Sequence, residues 1–328
     1  MSLLSIVVPV YNEVDNIKPF LNDLGNKLES IAIKKEIIFV CDPSSDGTEG
    51  LIKNLSESNP EIYLIELTRK FGQAKAILAG LEYSSGDAIV VMDVDLQDPP
   101  EIIPEMIAKW ESGTKLVIAQ RESRVGEPLI KKLVAKLGYW FLNKFAEIPI
   151  PRNTGDFRLM DRQIVNELLK FPEASFFLRG LVSLVGYNYE IITFKRLSRN
   201  IGKSQYNKFF GSISIAIDGI IGFSTVLLRI SIFIGIVMAG FTSLFTLIYL
   251  AAKISGIAFP EGNPTLVILV SFISSLLFII IGVQGLYVGK IYDEVKHRPR
   301  YLVKAIHGVP QKTKNPVSLL NDSQSDIR

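Results

Sequence analysis

The stretch Val90–Pro100 reads VVMDVDLQDPP. An apolar run ends in two carboxylates, Asp93 and Asp95, and a third, Asp98, follows. At a strand end, carboxylates with this spacing can converge on one cation. A hard divalent ion takes such oxygens and keeps waters and substrate phosphates as its remaining ligands. There it would neutralise a diphosphate and make it a better leaving group. The rest of the composition narrows the choice. Cys41 is the only cysteine, and the two histidines, His297 and His307, both lie near the C-terminal end. An internal disulfide and a multi-cysteine zinc site are excluded, and a His-rich metal site or a Ser-His-Asp triad is disfavoured. The metal expected is magnesium, manganese or calcium.

Two other polar turns close apolar runs in the same way. SIVVPV (5–10) leads into YNE, and EIIFV (36–40) leads into CDPSSDGT. IYLIEL (62–67), AIVVMD (88–93) and Lys115–Ala119 are further short, apolar, β-branched strands. Helical spacing separates them: Ile17, Phe20, Leu21, Leu24 and Leu28 form one stripe, a helix runs from about Thr48 to Leu55, and GQAKAILAGLEYS is another. Strand–helix alternation with continuous apolar strands predicts an α/β domain with a mostly parallel sheet covered on both faces. Ligands of such sheets bind beyond the carboxyl ends of the strands. Pro9–Glu13, Asp42–Asp46 and Asp93–Gln97 are therefore expected in one crevice.

The chain has 328 residues, net charge +3 and mean hydropathy +0.29. Its hydrophobic excess concentrates after residue 220. Residues 128–146 alternate Leu, Trp and Phe with lysines; this pattern suits a helix on a membrane surface or one packed on the domain's own core. Residues 207–223 read as a second interfacial helix. Residues 224–252 and 264–289 are apolar runs of the length needed to cross a bilayer, the first interrupted by Arg229. The basic and polar tail, 290–328, is placed in the cytoplasm by its Lys and Arg content. Two crossings return the catalytic domain, residues 1–206, to the same side. The opening MSLLSIVVPVYNE reads as a strand and not a signal peptide. The expected location is thus the inner or plasma membrane, multi-pass, with both termini cytoplasmic.

VVPVYNE, DPSSDGT, DVDLQDPPE and TGDFRLMDR, in this order, resemble the family 2 glycosyltransferases of GT-A, Rossmann-like fold. Within them the chain is similar to the polyprenyl-phosphate glycosyltransferases, the group that includes dolichyl-phosphate mannose synthase and GtrB-like glucosyltransferases. The resemblance implies Pro9, Tyr11 and Glu13 at a nucleotide-binding turn and Asp42 at the base edge. It also puts Gln73 and Val94 among the nucleotide-sugar contacts, together with Asp93. Asp93, Asp95 and Gln97 correspond to the magnesium or manganese site, and Asp156 to the catalytic acid of TGDFRLMDR. Arg199 and Lys203 lie in the R-x-x-G-x-S segment near the phosphates. Cys41 and Pro43 depart from the pattern, as does Gln73, which stands where a lysine is common. The Q-x-x-R-W motif of processive synthases is absent, so single sugar transfer is expected.

For a lipid-linked phosphate acceptor, Arg121, Arg124, Lys131, Arg152 and Arg158 supply candidate cations, Arg being suited to bidentate phosphate binding. A phosphate monoester has a second pKa of about 6 and needs little deprotonation at neutral pH. Asp156 is therefore expected mainly to orient the acceptor or its cationic partners. The reaction expected is inverting transfer of glucose from UDP-glucose to polyprenyl phosphate. Transfer from GDP-mannose, UDP-N-acetylglucosamine or an aminosugar nucleotide, and a non-catalytic membrane scaffold, remain the alternatives. A homo-oligomer is expected from the glycines of the apolar segments, and no nucleic-acid partner.

Overall fold

The computed structural model describes residues 2–29, 31, 33–122, 154–173, 178–195, 226–256 and 262–308. They fall into two compact units: one holds the described residues up to 195 together with 299–308, the other 226–256 and 262–298. The interfacial helices expected at 128–146 and 207–223 lie outside the described residues.

The first unit is built on one mixed sheet. Its strands are β1 (Leu3–Val10), β2 (Lys34–Cys41), β3 (Ile62–Leu67), β4 (Ala88–Val91), β5 (Leu116–Arg121), β6 (Thr154–Asp161), β7 (Tyr189–Phe194) and β8 (Val303–His307). The order across the sheet is β7-β5-β6-β4-β1-β2-β3-β8. β1 pairs in parallel with β2 and β4, β2 with β3, and β5 with β7. β6 runs antiparallel between β4 and β5, and β8 runs antiparallel along β3. The helices of this unit are α1 (Val14–Leu28), α2 (Thr48–Ser58), α3 (Gln73–Tyr83), α4 (Ile103–Glu111), α5 (Arg162–Lys170) and α6 (Leu178–Leu184).

Period-two alternation divides β2 between two cores. Ile37, Phe39 and Cys41 join the cluster containing Phe20 and Leu24 of α1. Ile38 and Val40 face the other side, with Ile65, Leu67 and Ala76 and Ala79 of α3. Full burial of each such side chain contributes about 1.5–3 kcal/mol, so residue type alone commits these runs to a sheet covered on both faces.

Two findings depart from the sequence reading. β6 is an added reversed strand, and its direction brings its first residues, Thr154–Asp156, to the edge where β4 and β5 end. The segment assigned to a basic tail outside the domain contains β8. Its pairing with β3 satisfies backbone groups that an edge strand would otherwise expose. β4 stops at Val91, so Asp93 belongs to the turn and not to the strand.

The second unit consists of two long helices, α7 (Val226–Ile254) and α8 (Asn263–Val295). α8 begins with Pro264 at a first-turn position, where a missing N–H costs nothing, and runs past the 289 expected from the sequence. Among the described residues one segment, Phe272–Val295, is long and apolar enough to cross a membrane. Phe233, Ile236 and Phe245 of α7 and Phe278, Ile279 and Val288 of α8 are exposed.

Candidate active site

The carboxyl ends of β1 to β5 and the start of β6 share one edge of the sheet, and the sequence-selected acids gather there. β1 leads into Asn12, in the left-handed region at φ 54°, which asparagine tolerates. Its side chain accepts the Ser45 N–H at 2.8 Å, while its own N–H donates to Ser44 Oγ at 3.1 Å. The Glu13 N–H donates to Thr48 Oγ1 at 3.0 Å. The first two turns are thereby stapled together, with Pro9, Tyr11 and Glu13 at the crevice rim. Cys41, just below, is fully buried, and burial pushes its thiol up to about 12, so it is no nucleophile.

Asp42 is buried at the end of β2. Its two oxygens accept the N–H groups of Phe71 and Gly72, each at 2.9 Å. Asp42 thus fixes the β3–α3 loop, a role additional to the base contact implied by the family resemblance. Gly72 sits at φ 89°, ψ 162°, a region essentially restricted to glycine. Lys70 of this loop stands over the Tyr11 ring at 3.5 Å and Arg69 over Phe71 at 4.2 Å. The same loop ends at Gln73, whose Nε2 donates to Asp93 Oδ1 at 2.8 Å and reaches Asp156 Oδ2 at 3.5 Å.

The turn after β4 carries the carboxylates. Leu96 adopts φ 58°, a costly conformation for a residue with a Cβ and of the kind that accumulates at functional turns. Asp95 is buried and accepts the Gln97 N–H at 3.1 Å. Val94 is buried beneath the turn. Asp98, 1% exposed, pairs with Arg121 Nη2 at 3.3 Å. Asp93 is pushed up to about 8, first by loss of hydration and then by the negative charges of Asp98, Asp156 and Asp95. No group of three His, Cys, Asp or Glu side chains among the described residues is placed to hold a metal alone. Asp93 and Asp95, whose charges act on each other, are a donor pair that would suit a divalent ion completing its shell with water and substrate oxygens.

Asp156, in β6, is held from two sides. Arg179 Nε of α6 pairs with its Oδ1 at 3.2 Å, and Gln73 approaches the other oxygen. Arg179 was not selected from the sequence. The available signal was a single cation inside the apolar stretch FFLRGLVSLVG. Arg158, expected among the acceptor cations, neighbours Asp156 in β6. It is 2% exposed and donates to Gly155 O at 2.6 Å and Asp156 O at 3.3 Å. Burial pushes it down to about 10 despite the Asp156 charge. Arg158 is thus a buried support for the main chain around Asp156. Arg121 crosses Gly155: a Cβ there would lie 2.8 Å from its Nη2. The Arg121 Nε is buried with no acceptor among the described residues. Arg124, Lys131, Arg152, Arg199 and Lys203 lie outside the described residues.

Aspartates gathered beyond the strand ends of a doubly covered α/β sheet mark a candidate active site, and comparison with known proteins supplies its family. Residues 5–169 match the family described as Glycosyl transferase family 2. An uncharacterized glycosyltransferase of Synechocystis sp. is 38% identical over 307 residues, covering 93% of this chain and 96% of its own. A bactoprenol glucosyl transferase of Shigella flexneri prophage origin is 37% identical over 304 residues, covering 93% and 98%. A prophage bactoprenol glucosyl transferase homolog of Escherichia coli is 38% identical over 304 residues, covering 92% and 99%. The chain belongs to glycosyltransferase family 2, and its mixed α/β sheet is GT-A-like.

Proposed function

We propose that this enzyme transfers glucose from UDP-glucose to a polyprenyl phosphate, with inversion at the anomeric carbon. The observation that carries the proposal is the constellation Asp93–Gln73–Asp156–Arg179, which sets a metal-type carboxylate beside a second, cation-paired one at a single sheet edge. The names of the Shigella and Escherichia relatives, matched along nearly the whole chain, support the lipid acceptor and the glucose.

In this reading Tyr11, Glu13 and Asp42 receive the nucleotide. Asp93, Asp95 and Gln97 hold magnesium or manganese, which supplies charge neutralisation to the departing diphosphate. Arg121, paired with Asp98 at the sheet edge, supplies a cation for a phosphate oxygen. The acceptor phosphate attacks C1 as its own nucleophile. Asp156 keeps Arg179 and Gln73 aimed at the reacting groups; a carboxylate already paired with a guanidinium suits this role better than proton abstraction.

Both long helices are read as membrane spans. β1–β7 precede α7, and β8 follows α8, yet all eight strands form one sheet. The number of crossings between them is then even, so a span at Phe272–Val295 calls for a second at α7. Exposed Phe and Ile along both helices support a lipid surroundings.

The test is to incubate purified protein with polyprenyl phosphate, manganese and a panel of labelled nucleotide sugars, and to follow label into the organic phase. Metal-dependent transfer from UDP-glucose is expected, with Asp95→Ala inert. Transfer from another donor would replace the sugar. Equal inactivity of wild type and Asp95→Ala with every donor would overturn the reading.

A further inference from the structure

The chain that follows α8 returns to the sheet beside the loop that lines the nucleotide side of the crevice. The N–H of Thr68, the first residue after β3, donates to Leu302 O at 3.0 Å. The Tyr301 hydroxyl donates to Glu82 of α3 at 2.5 Å. Its ring, like Phe71 and Val303, packs against the cluster of Ile38, Val40, Ile65 and Leu67. Further along, Glu66 of β3 is gripped by Lys304 at 2.8 Å and His307 at 2.9 Å. The connection from Thr68 to Gln73 is therefore held at its start and in its middle. Leu302 holds its start, and the cluster on which Tyr301 packs also seats Phe71. Tyr301 also ties down the far end of the helix that begins at Gln73. This one connection supplies the N–H groups on Asp42, the Lys70 ammonium over Tyr11 and the Gln73 amide on Asp93.

We propose that the returning segment 301–307 is a positioning element for nucleotide binding, with Tyr301 as its principal positioning residue. The segment touches none of the crevice acids itself and acts through the 68–73 connection. A segment that follows a long apolar helix thus sets the geometry of the crevice. The inference rests on the nucleotide-sugar reading given above.

The test uses the full-length protein in detergent or nanodiscs. UDP with manganese chloride is titrated by calorimetry, and KM is measured separately for UDP-glucose and polyprenyl phosphate. For Tyr301→Ala, UDP affinity is expected to fall about 10-fold and KM for UDP-glucose to rise in parallel, with a smaller fall in kcat through Gln73 and the lipid KM within about two-fold of wild type. Tyr301→Phe, which keeps the ring and loses only the bond to Glu82, should retain most of the affinity. Unchanged UDP affinity in folded Tyr301→Ala would overturn the proposal, as would an equal effect on donor KM, lipid KM and kcat. If Tyr301→Ala does not fold, the double variant Lys304→Ala/His307→Ala decides: a loss of UDP affinity of three-fold or more supports the proposal, and wild-type affinity sinks it. Wild-type protein that binds UDP but transfers no sugar would defeat the functional reading and leave the positioning test intact. If wild type fails to bind UDP, GDP takes its place as probe, and failure of both removes the two inferences together.

Discussion

Replacing Asp93 by asparagine should make the metal-free protein more stable at alkaline pH while abolishing its activity. In the folded chain the Asp93 carboxyl is raised from 3.8 to about 8 by lost hydration and by Asp98, Asp156 and Asp95. The folded protein therefore binds a proton that the unfolded chain releases between about pH 4 and 8. Stability falls as pH rises through that window, and the full cost is present only above the folded-state value. Four pKa units set a ceiling on the order of 5 kcal/mol; sharing of the proton within the cluster and local hydration reduce this to a few kcal/mol. Asparagine keeps the oxygen that accepts from Gln73 and carries no charge, so the substitution removes the penalty at little structural cost. In thermal unfolding with chelator present, Asp93→Asn should melt several degrees above wild type at pH 8.5, at about 2–4 °C per kcal/mol for a domain of this size. Near pH 4.5 the gain should vanish. Manganese should narrow the difference at pH 8.5 by stabilising wild type alone. A variant that melts at or below wild type at pH 8.5, or gains equally at both pH values, would refute the electrostatic account.

Arg179→Ala should lower kcat about 10- to 100-fold by releasing Asp156, with Arg179→Lys partly restoring it; steady-state transfer kinetics decide. Arg158→Met should leave the Gly155 and Asp156 carbonyls without their buried donors and cost about 3 kcal/mol, read as a lower melting temperature. Gly72→Ala forces a Cβ into the φ 89° conformation, costing about 1–3 kcal/mol, and should raise the KM for nucleotide sugar more than that for lipid. Asp156→Asn should lose activity equally at pH 6 and pH 8.5 if the carboxylate only orients its partners, whereas a loss confined to pH 6 would mark it as a base for the monoanionic acceptor.

What could be read from the sequence follows a physical division. β1 to β4 were legible because each is a short apolar run stopped by a turn cluster, and the aspartates stood out because charge at the end of a buried strand needs a reason. β8 was hidden: VKAIH is five residues of weak alternation inside a basic segment, and its pairing to Glu66 spans 241 positions. Neither β-propensity nor composition reports a partner that distant. Arg179 shows the same limit in a side chain, whereas Arg158 does not: Phe157 and Leu159 of β6 join one core cluster, so alternation sends Arg158 to the opposite face, where it folds back on the Gly155 and Asp156 carbonyls of its own strand. Arg179 lies 23 residues from Asp156, and the pairing follows from where α6 brings it. These contacts bear on the role expected of Asp156 from the sequence, that of an orienting group which would serve as base only for a monoanionic acceptor. Held by Arg179 and approached by Gln73, which also holds Asp93, it links the proposed metal carboxylate to the proposed acceptor cations. A group so engaged contributes by fixing charge in place before reaction, which is how a dianionic phosphate nucleophile that needs no deprotonation is best served.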